Sequence, residues 1–228
     1  MQESTVNWLG QEFVFLSAEA PAGNDATAET QALFASFERV LAGHGLSLAD
    51  SLRSRLYGRD RAARDAASVV RSAVMAGPAR CATSSYIAPD RLTANTRVAM
   101  DLIAGRSDGE LVKTLRENDP PRTPCRYLTW GSLVVLSGQT CTDPTLEAQV
   151  LGDILPRITT YLEEAGSGWD QVAEANCFLH QDETPKRMRE LFIQHAGQLP
   201  PRFACHRVAG YSAPGKRVEI EITAIRRL

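Results

Sequence analysis

Arg202 follows Pro200 and Pro201 and opens the segment Phe203-Ala204-Cys205. A guanidinium at this point could grip a carboxylate through two parallel, charge-assisted hydrogen bonds, although an arginine after two prolines is as readily a surface residue. Further on, Glu219 and Glu221 alternate with Val218, Ile220 and Ile222, the period-two pattern of a strand with one apolar and one carboxylate face. Either carboxylate could position or activate water, or could simply face solvent. Ser137, ahead of Gly138, could donate a hydrogen bond to a bound molecule or serve only as a turn residue.

The other reactive side chains point to less. The five cysteines (Cys81, Cys125, Cys141, Cys177 and Cys205) are odd in number, scattered and free of any C-x-x-C pair, which argues against a disulfide framework and a zinc site. Cys141 and Cys205 could be nucleophiles, but a free cysteine is more often a packed, structural thiol. His180, His195 and His206 sit at no metal-ligand spacing and read as surface or cap residues.

A chain of 228 residues with 43% hydrophobic content can build one large or two small cores. Its net charge of −2 supplies no overall field for a nucleic-acid backbone. The densest basic cluster (Arg53, Arg55, Arg59, Arg61, Arg64) is interspersed with Asp50, Asp60 and Asp65 and reads as a solvated charged face. No apolar run reaches the roughly 18 to 20 residues that span a bilayer, and the Met-Gln-Glu-Ser start lacks a signal-peptide pattern, so a cytoplasmic protein without nucleic-acid or membrane partners is expected.

These residues need elements to hold them, and the elements recur. LAGHGLSLADSLRSRLYGRD at 41–60 and LEEAGSGWDQVAEANCFLHQD at 162–182 both read as helix end, glycine turn and strand, offset by 121 residues. In the first half, 13–18 alternates like a strand, Leu33, Phe34, Phe37, Val40 and Leu41 follow helical spacing, and a strand at 52–57, a helix at 61–75 and strands at 80–87 and 96–104 follow. The second half gives strands at 127–130 and 132–137, a helix through 150–162, a strand at 172–179, a helix at 185–195 and strands at 203–208 and 217–225. Each half has the order β-β-α-β-α-β-β. Pro156 should kink its helix or mark its true start. The proline- and glycine-rich stretch between the halves reads as a linker, with a short helix at 110–116. The expected organisation is a degenerate domain at 1–106, a linker at 107–124 and a better-equipped domain at 125–228.

The segments WGSLVVLSGQ (130–139), LPPRF (199–203) and RVEIEITAIRR (217–227) resemble, in order and spacing, the signatures of the Rid (YjgF) family. The resemblance spans about 100 residues of the second half. It implies an α+β, chorismate-mutase-like fold, here in tandem, with each sheet covered by two helices on one face. It also implies cofactor-free and metal-free hydrolysis of imines or enamines to a ketoacid and ammonia. On the same ground Arg202 would bind the substrate carboxylate, Glu219 would orient water with Glu221 as the competing choice, and Ser137 or the backbone of Ala204 and Cys205 would steady developing charge. Cys205 and Cys141 have no His or Asp partner at a family position.

This sequence departs from the family where Pro124 and Cys125 occupy the place of an aromatic residue and Pro185 that of an asparagine. In the first half FLSAEA replaces the SGQ turn, Arg80 takes the anchor position, and Ala99 stands where the glutamate belongs, with Asp101 two residues later. That half is expected to be catalytically weak or silent. Because family domains pack in threes around their sheets, a homotrimer with six Rid-like domains is expected. A chorismatase-like enzyme on a carboxylated, unsaturated intermediate and a non-catalytic metabolite-binding scaffold are the alternatives.

Overall fold

The structure, a computed structural model, describes residues 1–93, 95–106 and 111–227. The chain divides into two compact units, Met1–Val112 and Lys113–Leu228, so the division falls inside the stretch read as a linker.

In the first unit, β1 (Gln2–Trp8) and β2 (Gln11–Glu19) form a hairpin, followed by α1 (Ala26–Gly43), β3 (Ser51–Gly58), α2 (Arg61–Val74), β4 (Ala82–Ile87) and β5 (Val98–Gly105). The sheet order is β1-β2-β5-β3-β4, antiparallel except for β3 beside β4, the pair that α2 connects. Asp25 and Asp60 cap α1 and α2 by accepting from the N–H groups of Ala28 and Ala63, each at 2.8 Å.

The second unit repeats this order and adds a strand. β6 (Lys113–Arg116) lies outside β7 (Tyr127–Trp130), followed by β8 (Leu133–Leu136), α3 (Leu155–Glu164), β9 (Val172–His180), α4 (Pro185–Ala196), β10 (Arg202–Val208) and β11 (Val218–Ile225). The order β10-β9-β11-β8-β7-β6 is the sheet of the first unit with β6 appended. The expected helix at 110–116 is thereby corrected, because 113–116 pair antiparallel with β7; position 110 lies outside the described residues. The alternating burial of this short strand shows why a helical reading fails, since its half-buried residues recur every second position rather than every third or fourth.

Pro156 lies inside a helical run that continues directly from the π-helical turn Ala148–Ile154 into α3, so the irregular turn immediately precedes the residue that lacks an N–H. The 121-residue offset holds in space: the short 3-10 turns Leu48–Asp50 and Trp169–Gln171 lead into β3 and β9.

Strand alternation separates two faces. In the second unit Ala175, Cys177, Leu179, Val218, Ile220 and Ile222 join Ile154, Ile158, Leu162, Met188, Leu191 and Phe192 in one core. The same alternation in the first unit buries Val14, Leu16, Leu56, Met100 and Leu102 with Leu33, Phe34 and Phe37. The basic cluster is not a solvated face. Arg53 is buried on β3, Arg59 donates to the backbone carbonyls of Thr93 and Thr96, and Arg64 bonds Ser85 and Asp65.

Under the second sheet, Phe192 meets Trp169 and Phe203 edge-on at ring-centroid distances of 5.3 and 5.0 Å. Phe192→Ala should therefore cost roughly 3 to 5 kcal/mol in urea denaturation followed by tryptophan fluorescence. His195 stands beside the same cluster, its Nε2 3.0 Å from Thr159 Oγ1. Burial lowers its pKa below the ordinary 6.5, so the folded chain binds this proton less readily than the unfolded chain. The stability of the neutral form is present above that ordinary value and is lost as pH falls through it toward the folded pKa. His195→Gln should flatten the fall of Tm between about pH 7.5 and 5.5 relative to wild type.

Candidate functional site

The turn after β8 is built around a carboxylate. β8 stops at Leu136, and the chain rejoins β11 three residues later through a bridge in which Gln139 and Ile220 exchange two backbone hydrogen bonds of 2.9 Å. Between them, Ser137 donates its N–H to the carbonyl of Arg126, and Gln139 Nε2 donates back to the Ser137 carbonyl at 2.8 Å. Arg157 reaches Gln139 Oε1 and the Thr140 carbonyl, both at 3.4 Å, so the turn is tied to the helical layer as well as to the sheet.

Gly138 lies directly against Glu219. A Cβ placed on Gly138 would come within 2.0 Å of Glu219 Oε1 and 2.7 Å of its carboxyl carbon. Only glycine lets this carboxylate reach the backbone of the turn. Glu219 is buried, as are Glu221 and Ser137. The Ser137 hydroxyl lies 3.7 Å from Cys125 Sγ. The structure thus brings Ser137, Gly138 and Glu219 together.

Arg202 is elsewhere. It opens the edge strand β10, pairs with Glu174 on β9, and its side chain is 82% exposed, with Nε 3.6 Å from Glu174 Oε1. Counting along the register, Arg202 stands level with Thr223 of β11, while Glu219 pairs with Phe178 four residues further along. Four residues along the strands and two strands across separate their Cα atoms by roughly 16 Å. Glu219 moreover turns toward β8, away from β10.

Alternation along β10 sorts the remaining candidates. Ala204 shares the face of Arg202, whereas Cys205 and Phe203 turn to the helices and pack against the core. Cys205 is in register with the wholly buried Cys177; interaction between the two thiols lowers the pKa of Cys205, while burial and then that interaction raise that of Cys177. As an edge strand, β10 still leaves backbone N–H and C=O groups pointing off the sheet. Cys141 is half-buried, and desolvation raises its pKa, which makes it a poor thiolate.

Sequence reading missed three positioning residues. Gln149, fully buried in the π-helical turn, donates to the carbonyls of Asp143 and Gly215 and accepts from the N–H of Arg217 at 2.9 Å. Tyr211 donates to the carbonyls of Phe178 and Arg217, and burial raises its pKa far above the ordinary range. Asn176 meets His206 Nε2 at 3.1 Å while the imidazole stacks on Phe178. No motif marks Gln149 or Asn176; the only available signal was a polar residue inside an apolar run.

Comparing the two registers also corrects the first half. Ala82, opposite Arg53, holds the position that Arg202 holds opposite Glu174, and Arg80 lies two residues before it, at the end of the 3-10 turn Gly77–Ala79. Ala99 does correspond to Glu219, and Asp101 corresponds to Glu221. Among the described residues, no group of three or more His, Cys, Asp or Glu side chains could hold a metal ion, and no helix is long and apolar enough to cross a membrane.

Gly138→Ala should displace the Glu219 carboxylate or open the turn. Differential scanning calorimetry should show a fall in Tm, reflecting a loss of roughly 1 to 3 kcal/mol, whereas Gly152→Ala, where an added Cβ meets nothing within 4 Å, should be neutral or slightly stabilising.

The sequence model of the family described as "Endoribonuclease L-PSP" matches residues 124–226. Among solved structures, a YjgF/YER057c/UK114 family member from Mycobacterium tuberculosis is 27% identical over 50% of this chain and 99% of its own, with a TM-score of 0.43. A YjgF protein from Neisseria meningitidis is 27% identical over 51% and 97%, with a TM-score of 0.44. A chorismatase matches 96% of this chain and 78% of its own at 15% identity and a TM-score of 0.65, a likeness of fold across both units. No curated protein matches the chain. Residues 124–226 thus carry the sequence of the YjgF/Rid family, and the α+β fold of that unit is present twice in the chain.

Proposed function

We propose that the chain hydrolyses a small carboxylate-bearing imine or enamine to a ketoacid and ammonia, without a cofactor, as a homotrimer. The observation that carries this reading is the buried Glu219 carboxylate seated on the Ser137-Gly138 turn, in a unit whose edge strand presents an exposed Arg202. Their Cα atoms stand roughly 16 Å apart within one unit, and on this reading a second copy of the chain brings its own Arg202 to the acid.

Each group then has one task. Arg202 forks the substrate carboxylate, which fixes the C=N carbon relative to the acid. The Glu219 carboxylate accepts a proton from water as the oxygen attacks that carbon and the C=N electron pair moves to nitrogen. The same proton passes to nitrogen to give a carbinolamine; the carboxylate then takes the carbinolamine hydroxyl proton and delivers it to nitrogen, and the C–N bond breaks as the carbonyl forms, so that ammonia leaves. Ser137 and edge N–H groups of β10 at Ala204 and Cys205 stabilise charge that develops on the way.

A second reading, an enzyme of the chorismatase type on a carboxylated enol ether, draws on the fold-level likeness that spans both units rather than one. The same acid, water and arginine would serve, with an alcohol leaving in place of ammonia.

The deciding assay is ammonia release from 2-iminobutanoate generated in situ, with light scattering on the same samples. Wild type should be active as a trimer, and Arg202→Ala should keep the assembly while losing about 100-fold or more in kcat/KM, the expected cost of two hydrogen bonds to a charged group. Activity unchanged in Arg202→Ala would refute the assigned clamp. A trimer that releases no ammonia would instead leave the enol-ether chemistry or metabolite binding.

A further inference from the structure

Cys177 and Cys205 stand side by side on neighbouring strands. β9 and β10 run parallel, and their register pairs Cys205 directly with Cys177. Paired residues point to the same face of a sheet, and both side chains turn to the helices, Cys177 as part of the core and Cys205 packed against it. Parallel neighbours lie about 4.8 Å apart, inside the roughly 4.4 to 6.8 Å that separates the Cα atoms of a disulfide. β10 is an edge strand, hydrogen-bonded to the sheet on one side only, so it can make the small shift that closing such a bond requires.

The two thiols are not equivalent. Cys177 is wholly buried on an interior strand, whereas Cys205 is half-buried at the sheet edge. Helix α4 brings a positive charge to that edge: the Arg189 guanidinium carbon lies 5.1 Å from the centroid of the Phe203 ring, and Phe203 shares the face of Cys205 one alternation away. Interaction with Cys177 and, after it, the charge of Arg189 hold Cys205 below the ordinary thiol pKa against the desolvation that opposes them. Burial keeps Cys177 a neutral thiol. The edge position, the partial exposure and the nearby guanidinium therefore mark Cys205 as the nucleophile, with a second sulfur waiting beside it. The pair has no echo in the first unit, where the same register positions hold Leu56 and Ser85.

We propose that Cys205 and Cys177 form a redox modification site that responds to hydrogen peroxide, in which Cys205 reacts and Cys177 resolves. The Cys205 thiolate attacks one peroxide oxygen, the O–O bond breaks, and the sulfur becomes a sulfenic acid as hydroxide leaves and takes up the proton that Cys205 had released. The Cys177 sulfur then attacks the Cys205 sulfur, its proton departs with the hydroxyl as water, and the S–S bond forms. Two thiols lose two electrons in all, and one peroxide is reduced to two waters. The bond ties the edge strand that carries Arg202 to its inner neighbour, on the face of the sheet opposite that arginine. The site is thus separate from the Arg202 and Glu219 chemistry.

The test treats the folded, full chain with equimolar hydrogen peroxide and then alkylates it after unfolding. The untreated chain should show all five thiols and the treated chain three. Tryptic digestion without reductant should yield residues 158–186 joined to residues 203–207, a link within one chain that dithiothreitol removes. Cys177→Ser should strand the sulfenic acid, so that dimedone labels Cys205, and Cys205→Ser should keep all its remaining thiols through the same treatment. The linked peptide is read in the unmutated chain and decides the matter even where a cysteine variant does not fold. Five alkylatable thiols after treatment, a link between other cysteines or between two chains, a link that forms as fast in urea-unfolded protein, or a dimedone adduct on Cys177 in place of Cys205 would overturn the proposal.

Discussion

A carboxylate held out of water against a glycine backbone constrains most of the second unit. Glu219 can occupy its place only because Gly138 has no Cβ, and Gly138 stays in place only because Gln139 returns to the sheet by a double backbone bond to Ile220. Ile220 points into the helical core, so the strand that carries the acid is gripped on one face by packing and on the other by the turn. Moving the strand by one residue would bring Glu219 into the core and Ile220 out of it, a slip that burial of an unpaired charge forbids. Precision at the acid is thus inherited from the register of β11 against β9, seven paired positions long.

The arginine obeys a different constraint. It sits on an edge strand, where one side of the backbone and most of the side chain face outward, and its neighbour Glu174 holds it only loosely at 3.6 Å. An exposed arginine that is weakly paired costs little to redirect, whereas a buried glutamate cannot move without unfolding its surroundings. That division fits a site completed by association: the fixed group is built inside a unit and the adjustable group is offered at its rim.

Much of this was legible in the sequence. Period-two alternation at 218–223 separated the faces of β11 correctly, and the 121-residue echo located β3 and β9 and the turns before them, because strand and turn signals are local. What escaped depended on contacts distant in sequence. β1, Gln-Glu-Ser-Thr-Val-Asn-Trp, has no apolar alternation and exists as a strand through pairing with β2 at seven positions. β6 lies within a proline-rich stretch and is likewise defined by its partner β7. The burial of Arg53 could not be foreseen from charge alone, and Arg80 was misplaced because P-x-R spacing was matched along the chain while strand pairing sets the true register at Ala82.

Duplication has changed the two open sheet faces in opposite ways. In the second unit the acids at both positions, Glu219 and Glu221, are retained and buried. In the first, Ala99 stands at one position, and at the other Asp101 pairs with Arg91 and is bonded by Ser17 and Tyr57. Asp101 accepts three hydrogen bonds, one of them from a guanidinium, so its oxygens are committed to that network. Asp101 is thus an anchor that fixes Arg91 and the Ser17 and Tyr57 hydroxyls on the open face of the first sheet.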